Sequence, residues 1–86
     1  MSLRIIVDET ATKNVVRVCG RLVGEAALGE LIRVCESLDG ALVIDLSDLR
    51  HADEAALSAL RGLRAQGTEM IGASPYLSLL LASPST

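Results

Sequence analysis

The sequence has 86 residues, room for one small domain, and a formal charge of −3 from 8 basic and 11 acidic side chains. Half of the residues are apolar, so a disordered chain is excluded. There is no Trp or Phe and one Tyr, and an acidic chain with a single aromatic ring argues against a nucleic-acid partner.

In chain order, residues 3–8 alternate weakly and are β-branched at the centre, which predicts a strand. Residues 8–14 are turn-like, with Thr10, Thr12 and Asn14 available for local hydrogen bonds. Residues 15–22 alternate clearly: Val16, Val18, Gly20 and Leu22 share one face, Arg17 and Arg21 the other. The two strands predict a hairpin. Residues 25–38 change to the helical period, with Leu28, Leu31, Ile32, Cys35 and Leu38 on one stripe. Asp39-Gly40 is the expected stop. Residues 41–46 form a short apolar run, typical of a central strand covered on both faces.

Residues 47–53 read as a polar loop ending in Asp53, the natural N-cap of a helix over 54–66. Leu57, Leu60 and Leu63 are spaced for burial on that helix, and Gly67 ends it. Residues 68–73 predict a short strand. Ser74 and Pro75 then stand at N-cap and N1 of a last helix, and residues 83–86 read as a frayed tail. The predicted order is β-β-α-β-α-β-α: an α/β fold with a single mixed sheet and helices packed on it. Residues 1–8 lack the apolar run of a secretory signal. The apolar run at 79–82 is far short of the ~20 residues that span a bilayer. A cytoplasmic location without membrane insertion is expected.

Catalytic patterns are sparse. Neither common glycine-rich phosphate cradle occurs. His51 is the sole histidine and shares a polar loop with Ser47, Asp48 and Asp53. A small serine hydrolase using Ser47 or Ser58 with His51 can be framed, yet no strained nucleophile turn surrounds either serine. A solvated surface histidine is the ordinary reading. His51 and Glu54 lack the cysteine motif of a zinc deaminase. No catalysis, metal or cofactor is expected. Cys19 and Cys35 fall on different faces of different elements, which predicts two reduced thiols. Arg50, Arg61 and Arg64 read as a solvated face. Tyr76, Leu77, Leu80 and Leu81 are expected to cover the sheet, with Leu79 left outside.

The stretch Val43-Ile44-Asp45-Leu46-Ser47-Asp48-Leu49, followed by Asp53 and Leu57, resembles the STAS domain family of anti-sigma-factor antagonists and related anion-transporter domains. Their pattern is a buried strand ending D-L-S, a short loop, then D-S-S-G-L opening a helix. Gly20-Arg21-Leu22 is similar to the G-x-L closing the family's second strand. Gly67 stands where a glycine closes the second helix, and Gly72-Ala73-Ser74-Pro75 where a proline-started helix follows a strand. The likeness runs over about residues 3–82.

The resemblance implies a protein-interaction module without catalysis. It implies an anti-sigma-factor antagonist whose partner is an ATP-binding anti-sigma-factor kinase or related regulatory ATPase. A small STAS subunit on the ATPase of a lipid-transporting ABC system is the alternative. The implied partner-binding residues are His51, Asp53, Glu54 and Ala55, Ser58 one turn on, and Val23 and Gly24 in the 22–25 connection. Asp53-Glu54-Ala55-Ala56-Leu57 stands in place of D-S-S-G-L. Ala55 therefore occupies the position of the serine that partner kinases phosphorylate, so no phosphosite is expected there. Glu54 adds a fixed carboxylate in the first turn, whose ordinary role is stabilisation by the helix dipole, about 0.3–1 kcal/mol. The chain stops soon after its third helix begins, where longer family members add a strand and helix. An open sheet edge, and with it homo-oligomerisation, is expected.

Overall fold

The computed structural model describes residues 3–82; the tail at 83–86 lies outside the described residues. The elements are β1 (Leu3–Glu9), β2 (Lys13–Leu22), α1 (Glu25–Ser37), β3 (Ala41–Asp45), β4 (Leu49–Ala52), α2 (Glu54–Ala65), β5 (Glu69–Ile71) and α3 (Pro75–Ala82). They form one mixed five-stranded sheet with three helices, the α/β fold expected, with β4 as an addition inside the loop read at 47–53.

β1 and β2 pair antiparallel as the predicted hairpin. Thr10 closes the turn: its hydroxyl donates to the Lys13 carbonyl at 2.6 Å and accepts from the Lys13 N–H at 3.0 Å. Asn14 bonds elsewhere, its amide donating to the Asp39 carbonyl at 2.6 Å and pinning the α1–β3 connection. The sheet order is β1-β2-β3-β5. β2 is long enough for two parallel neighbours in succession. Its first half pairs with β3 and its end, Gly20–Leu22, pairs with β4. A register irregularity falls between Gly20 and Arg21. β3 and β4 are thus one strand direction interrupted by a jog at 46–48.

Asp45 builds that jog. Its Oδ1 accepts from the Ser47 N–H at 2.9 Å and from the Ser47 hydroxyl at 2.6 Å. These bonds, aided by Arg17 at 3.5 Å, hold the Asp45 carboxyl below its usual range although burial opposes ionisation. Gly72, with φ +75°, passes so close that an added Cβ would lie 2.8 Å from Asp45 Oδ1. The Leu46 N–H donates to the Ile71 carbonyl at 2.8 Å, joining the jog to β5.

One core lies between the sheet and the helices. Val16, Val18, Leu22, Ile44 and Leu46 supply the sheet side, while Leu31, Cys35, Ala56, Leu57, Leu60, Leu77 and Leu81 supply the helices. All three helices thus cover the same face. The expectation that residues 41–46 are covered on both faces is corrected. Val43 is buried on the uncovered face because β3 is flanked by β2 and β5, whose side chains shield it laterally. Leu28 is only half-buried, Ile32 is exposed and Leu38 is half-buried. The buried stripe of α1 is narrower than its period suggests because α1 packs on β2, whereas α2 packs on β4 and α3. A groove of about 500 Å³ separates α1 and α2, lined by Ile32, Leu38 and Leu63 among others.

The caps agree with the sequence. The Asp53 carboxylate accepts from the Ala56 N–H at 2.9 Å, and the Ser74 hydroxyl from the Leu77 N–H at 3.1 Å; each such cap is worth about 1 kcal/mol. Gly67, at φ +104°, ends α2 with the Thr68 N–H donating to the Leu63 carbonyl. Both cysteines are free, and burial pushes the Cys35 thiol above its usual range.

Candidate functional site

β2 and β4 run parallel and end together, Leu22 pairing with Ala52. Each leads at once into a helix, so the N-termini of α1 and α2 emerge side by side at this edge. Two bonds from Asp53 join them: its N–H donates to the Leu22 carbonyl at 3.2 Å, and its carboxylate is shared between the two helix starts. Asp53 Oδ1 caps α2, and Oδ2 accepts from the Gly24 N–H at 2.9 Å. These two N–H groups, Gly24 first and Ala56 second, hold the Asp53 carboxyl below its usual range, with a smaller contribution from His51. Gly24 has φ +93°, a conformation that disfavours side chains, and serves as N-cap of α1 without a side-chain cap. In its place the carboxylate of the neighbouring turn uses the Gly24 donor.

The bond from Asp53 to Gly24 brings the two groups of sequence-predicted residues together. Val23 and Gly24 lie on one side of it, and Glu54 and Ala55 on the other. His51, Glu54, Ala55 and Ser58 are exposed, as are Val23 and Gly24, while Asp53 is half-buried beneath them. Ala55 faces solvent in the first turn of α2. Glu25 and Glu54 occupy the first turns of their helices. With Asp53 they make this edge acidic at the place where the helix dipoles would otherwise favour an anion.

Beside the α2 start lies a cleft of about 260 Å³ between β4, α2 and α3. Arg50, His51, Glu54 and Tyr76 stand around it over an apolar floor that includes Leu57, Leu77 and Leu80. Tyr76 corrects an expectation: it is 72% exposed and does not cover the sheet. At the second position of α3 it points away from the face that carries Leu77 and Leu81 inward. Leu79 is exposed, as expected. Arg61 corrects another. It is not part of a solvated face: its Nε donates to the Leu80 carbonyl at 3.2 Å, and its buried Nη1 lies 3.7 Å from Glu54 Oε2. It ties α2 to α3 and supports the cleft wall. Sequence reasoning missed Tyr76 because only the turn into α3 brings it beside His51, and it read Arg50, the neighbour of His51 in the chain, as part of a solvated face.

Ser47 spends its hydroxyl on Asp45, and among the described residues no hydrogen bond joins His51 to Ser47 or Ser58. Among the described residues no group of three or more His, Cys, Asp or Glu side chains is placed to hold a metal, and no helix is long and apolar enough to cross a membrane. Comparison with known proteins finds no matching family model and no matching curated protein.

Proposed function

We propose that this chain is a STAS-like protein-interaction module, acting without catalysis as an anti-sigma-factor antagonist through the edge where α1 and α2 begin. The observation that supports this reading is the Asp53 bridge. It holds Val23–Gly24 and Glu54–Ala55 as one exposed surface, the two segments that the family resemblance assigns to docking. Glu25 and Glu54 give that surface a negative rim, so the kinase or regulatory ATPase that docks there presents Lys or Arg. Exposed Tyr76 offers an aromatic anchor at the margin. Because Ala55 has no hydroxyl, docking is independent of phosphorylation at that position.

The test is incubation of the parent chain and of Ala55→Ser with an anti-sigma-factor kinase and ATP, read by intact mass and by binding titration. The parent chain binds and gains no phosphate. The Ala55→Ser chain gains one phosphate, adding about 1.5–2 negative charges beside Asp53 and Glu54, and then binds more weakly. Phosphate on the parent chain at Ser47 or Ser58 overturns the phosphorylation-independent reading. Binding to the ATPase of a lipid-transporting ABC system, with none to the kinase, overturns the antagonist assignment.

A further inference from the structure

The sheet face opposite the helices carries side chains in rows fixed by strand register. One row runs Ile6, Arg17, Asp45, Ile71 across β1, β2, β3 and β5. The next runs Asp8, Val15, Val43, Glu69. Ile6 and Ile71, at opposite ends of the first row, are 41% and 42% exposed, while the central Arg17–Asp45 pair closes at 3.5 Å. None of the three helices covers these residues.

The first row reads apolar, cation, anion, apolar. A two-fold axis parallel to the strands, passing between β2 and β3, lays the row on its own reverse. Ile6 then meets the partner's Ile71, and Arg17 lies over the partner's Asp45, whose side chain keeps 11% of its surface exposed, each contact occurring twice. In the second row half-buried Val15 lies over the partner's Val43, which its own neighbours already bury. We propose that this open face is an isologous interface with a second copy of the chain, two sheets packed face to face in the aligned mode.

Three observations favour a second copy over an unrelated protein. The row is complementary to itself, as a two-fold contact requires. Arg17 is half-exposed, with donors to spare for a second carboxylate. A depression of about 290 Å³ lined by Ile6, Val7, Asp8, Val15 and Arg17 lies on one side of the midline, where the same axis delivers the partner's Ile71.

The charges set a limit. Asp8 and Glu69, both exposed, face each other across the rim of the pair and repel. At about 4.8 Å between strands and about 3.3 Å per residue, the face measures on the order of 400 Å². That is half the roughly 800 Å² per partner of a standard interface, so the dimer is weak and exchanges readily. The face is remote in function from the helix-start edge, which remains open in the dimer, so the two proposals fail separately.

The test is sedimentation equilibrium of the parent chain, of Ile6→Asp, of Ile71→Lys, and of an equal mixture of the two variants. Both positions are exposed. Each new charge lies beside an opposite one on its own sheet, the carboxylate next to Arg17 and the ammonium next to Asp45, so both variants fold. The parent is expected to shift toward twice the monomer mass as concentration rises. Each variant alone sets a charge against isoleucine twice over and should dissociate at least ten-fold more readily. The mixture should recover the dimer, because carboxylate meets ammonium at one contact and isoleucine meets isoleucine at the other. A monomeric parent at about millimolar concentration overturns the proposal. So does a dimer that neither variant weakens, which would place the contact at a sheet edge or at Leu79, and so does a mixture that stays monomeric.

Discussion

Replacing Gly72 by alanine tests whether the Asp45 jog holds the sheet together. Two separate penalties meet at this position. The backbone has φ +75°, where a side chain costs about 1–2 kcal/mol. The new Cβ would stand 2.8 Å from Asp45 Oδ1 and 3.0 Å from the Ser47 nitrogen, and closer still to the Ser47 hydroxyl. Those are the atoms of the two hydrogen bonds that turn the chain out of β3, so relieving the clash means stretching a bond to a carboxylate, at about 1.5–3 kcal/mol. Gly72→Ala is therefore expected to lose about 2.5–5 kcal/mol, a large share of the roughly 5–15 kcal/mol of a typical domain. In a domain this small the melting temperature should fall by at least about 10 °C. Two other glycines separate the penalties. Gly67 has φ +104° with open space around it, so Gly67→Ala should cost only the backbone share. Gly29 lies within α1 with open space and without a positive φ, so Gly29→Ala should gain up to about 1 kcal/mol. Ser47→Ala combined with Gly72→Ala should cost less than the sum of the two, because the first removes the nearest obstacle to the second. Urea titration followed by circular dichroism reads all five variants, Ser47→Ala alone included. If Gly72→Ala costs no more than Gly67→Ala, the jog yields freely and the reasoning fails.

Two further outcomes follow from burial and ionisation. Leu31→Ala, at a fully buried position facing the sheet, should cost about 2–5 kcal/mol in urea unfolding, and half-buried Leu28→Ala should cost less; equal costs would mean that α1 is rotated from the orientation described. The carboxyls of Asp45 and Asp53 both sit below the ordinary 3.8, so their stabilisation is fully present above that value and is lost as pH falls through it toward the folded values. The urea midpoint should be flat near neutrality and drop in acid, with a shallower drop for Asp45→Asn; a midpoint that rises on acidification would refute this.

Most of the elements were legible because their periods are clean. Val16, Val18 and Leu22 alternate into the core, and Leu57 and Leu60 fall on one helical face. Asp53 and Ser74 announce their helices through capping chemistry that needs only local sequence. What failed was non-local. Residues 49–52 contain arginine and histidine and no β-branched residue, so nothing marks β4 until the end of β2 is seen to lack a partner. The exposure of Ile32 and the inward pull of Arg61 depend on how far apart α1 and α2 sit and on where α3 crosses. The bond from Asp53 to Gly24 spans 29 residues, and no spacing rule reports such a contact. The proposed docking residues rest on a resemblance, and the bond that joins their two segments became visible only in the geometry.

Asp45 and Asp53 show how one edge of a sheet can be both rigid and available. Both are aspartates at the end of a parallel strand, and each accepts two hydrogen bonds. Asp45 spends both on Ser47, two residues away, is itself buried, and thereby fixes the path from β3 to β4. Asp53 divides its bonds between Ala56, three residues on, and Gly24, in a different connection. The residues above it are too exposed to hold one another by packing, so their relative positions must be set from beneath. A carboxylate shared between two helix starts does this without occupying the surface itself. Positional accuracy in a binding site comes from supporting bonds of this kind. The jog set by Asp45 is what carries β4, and with it Asp53, to the end of β2 where Gly24 is within reach.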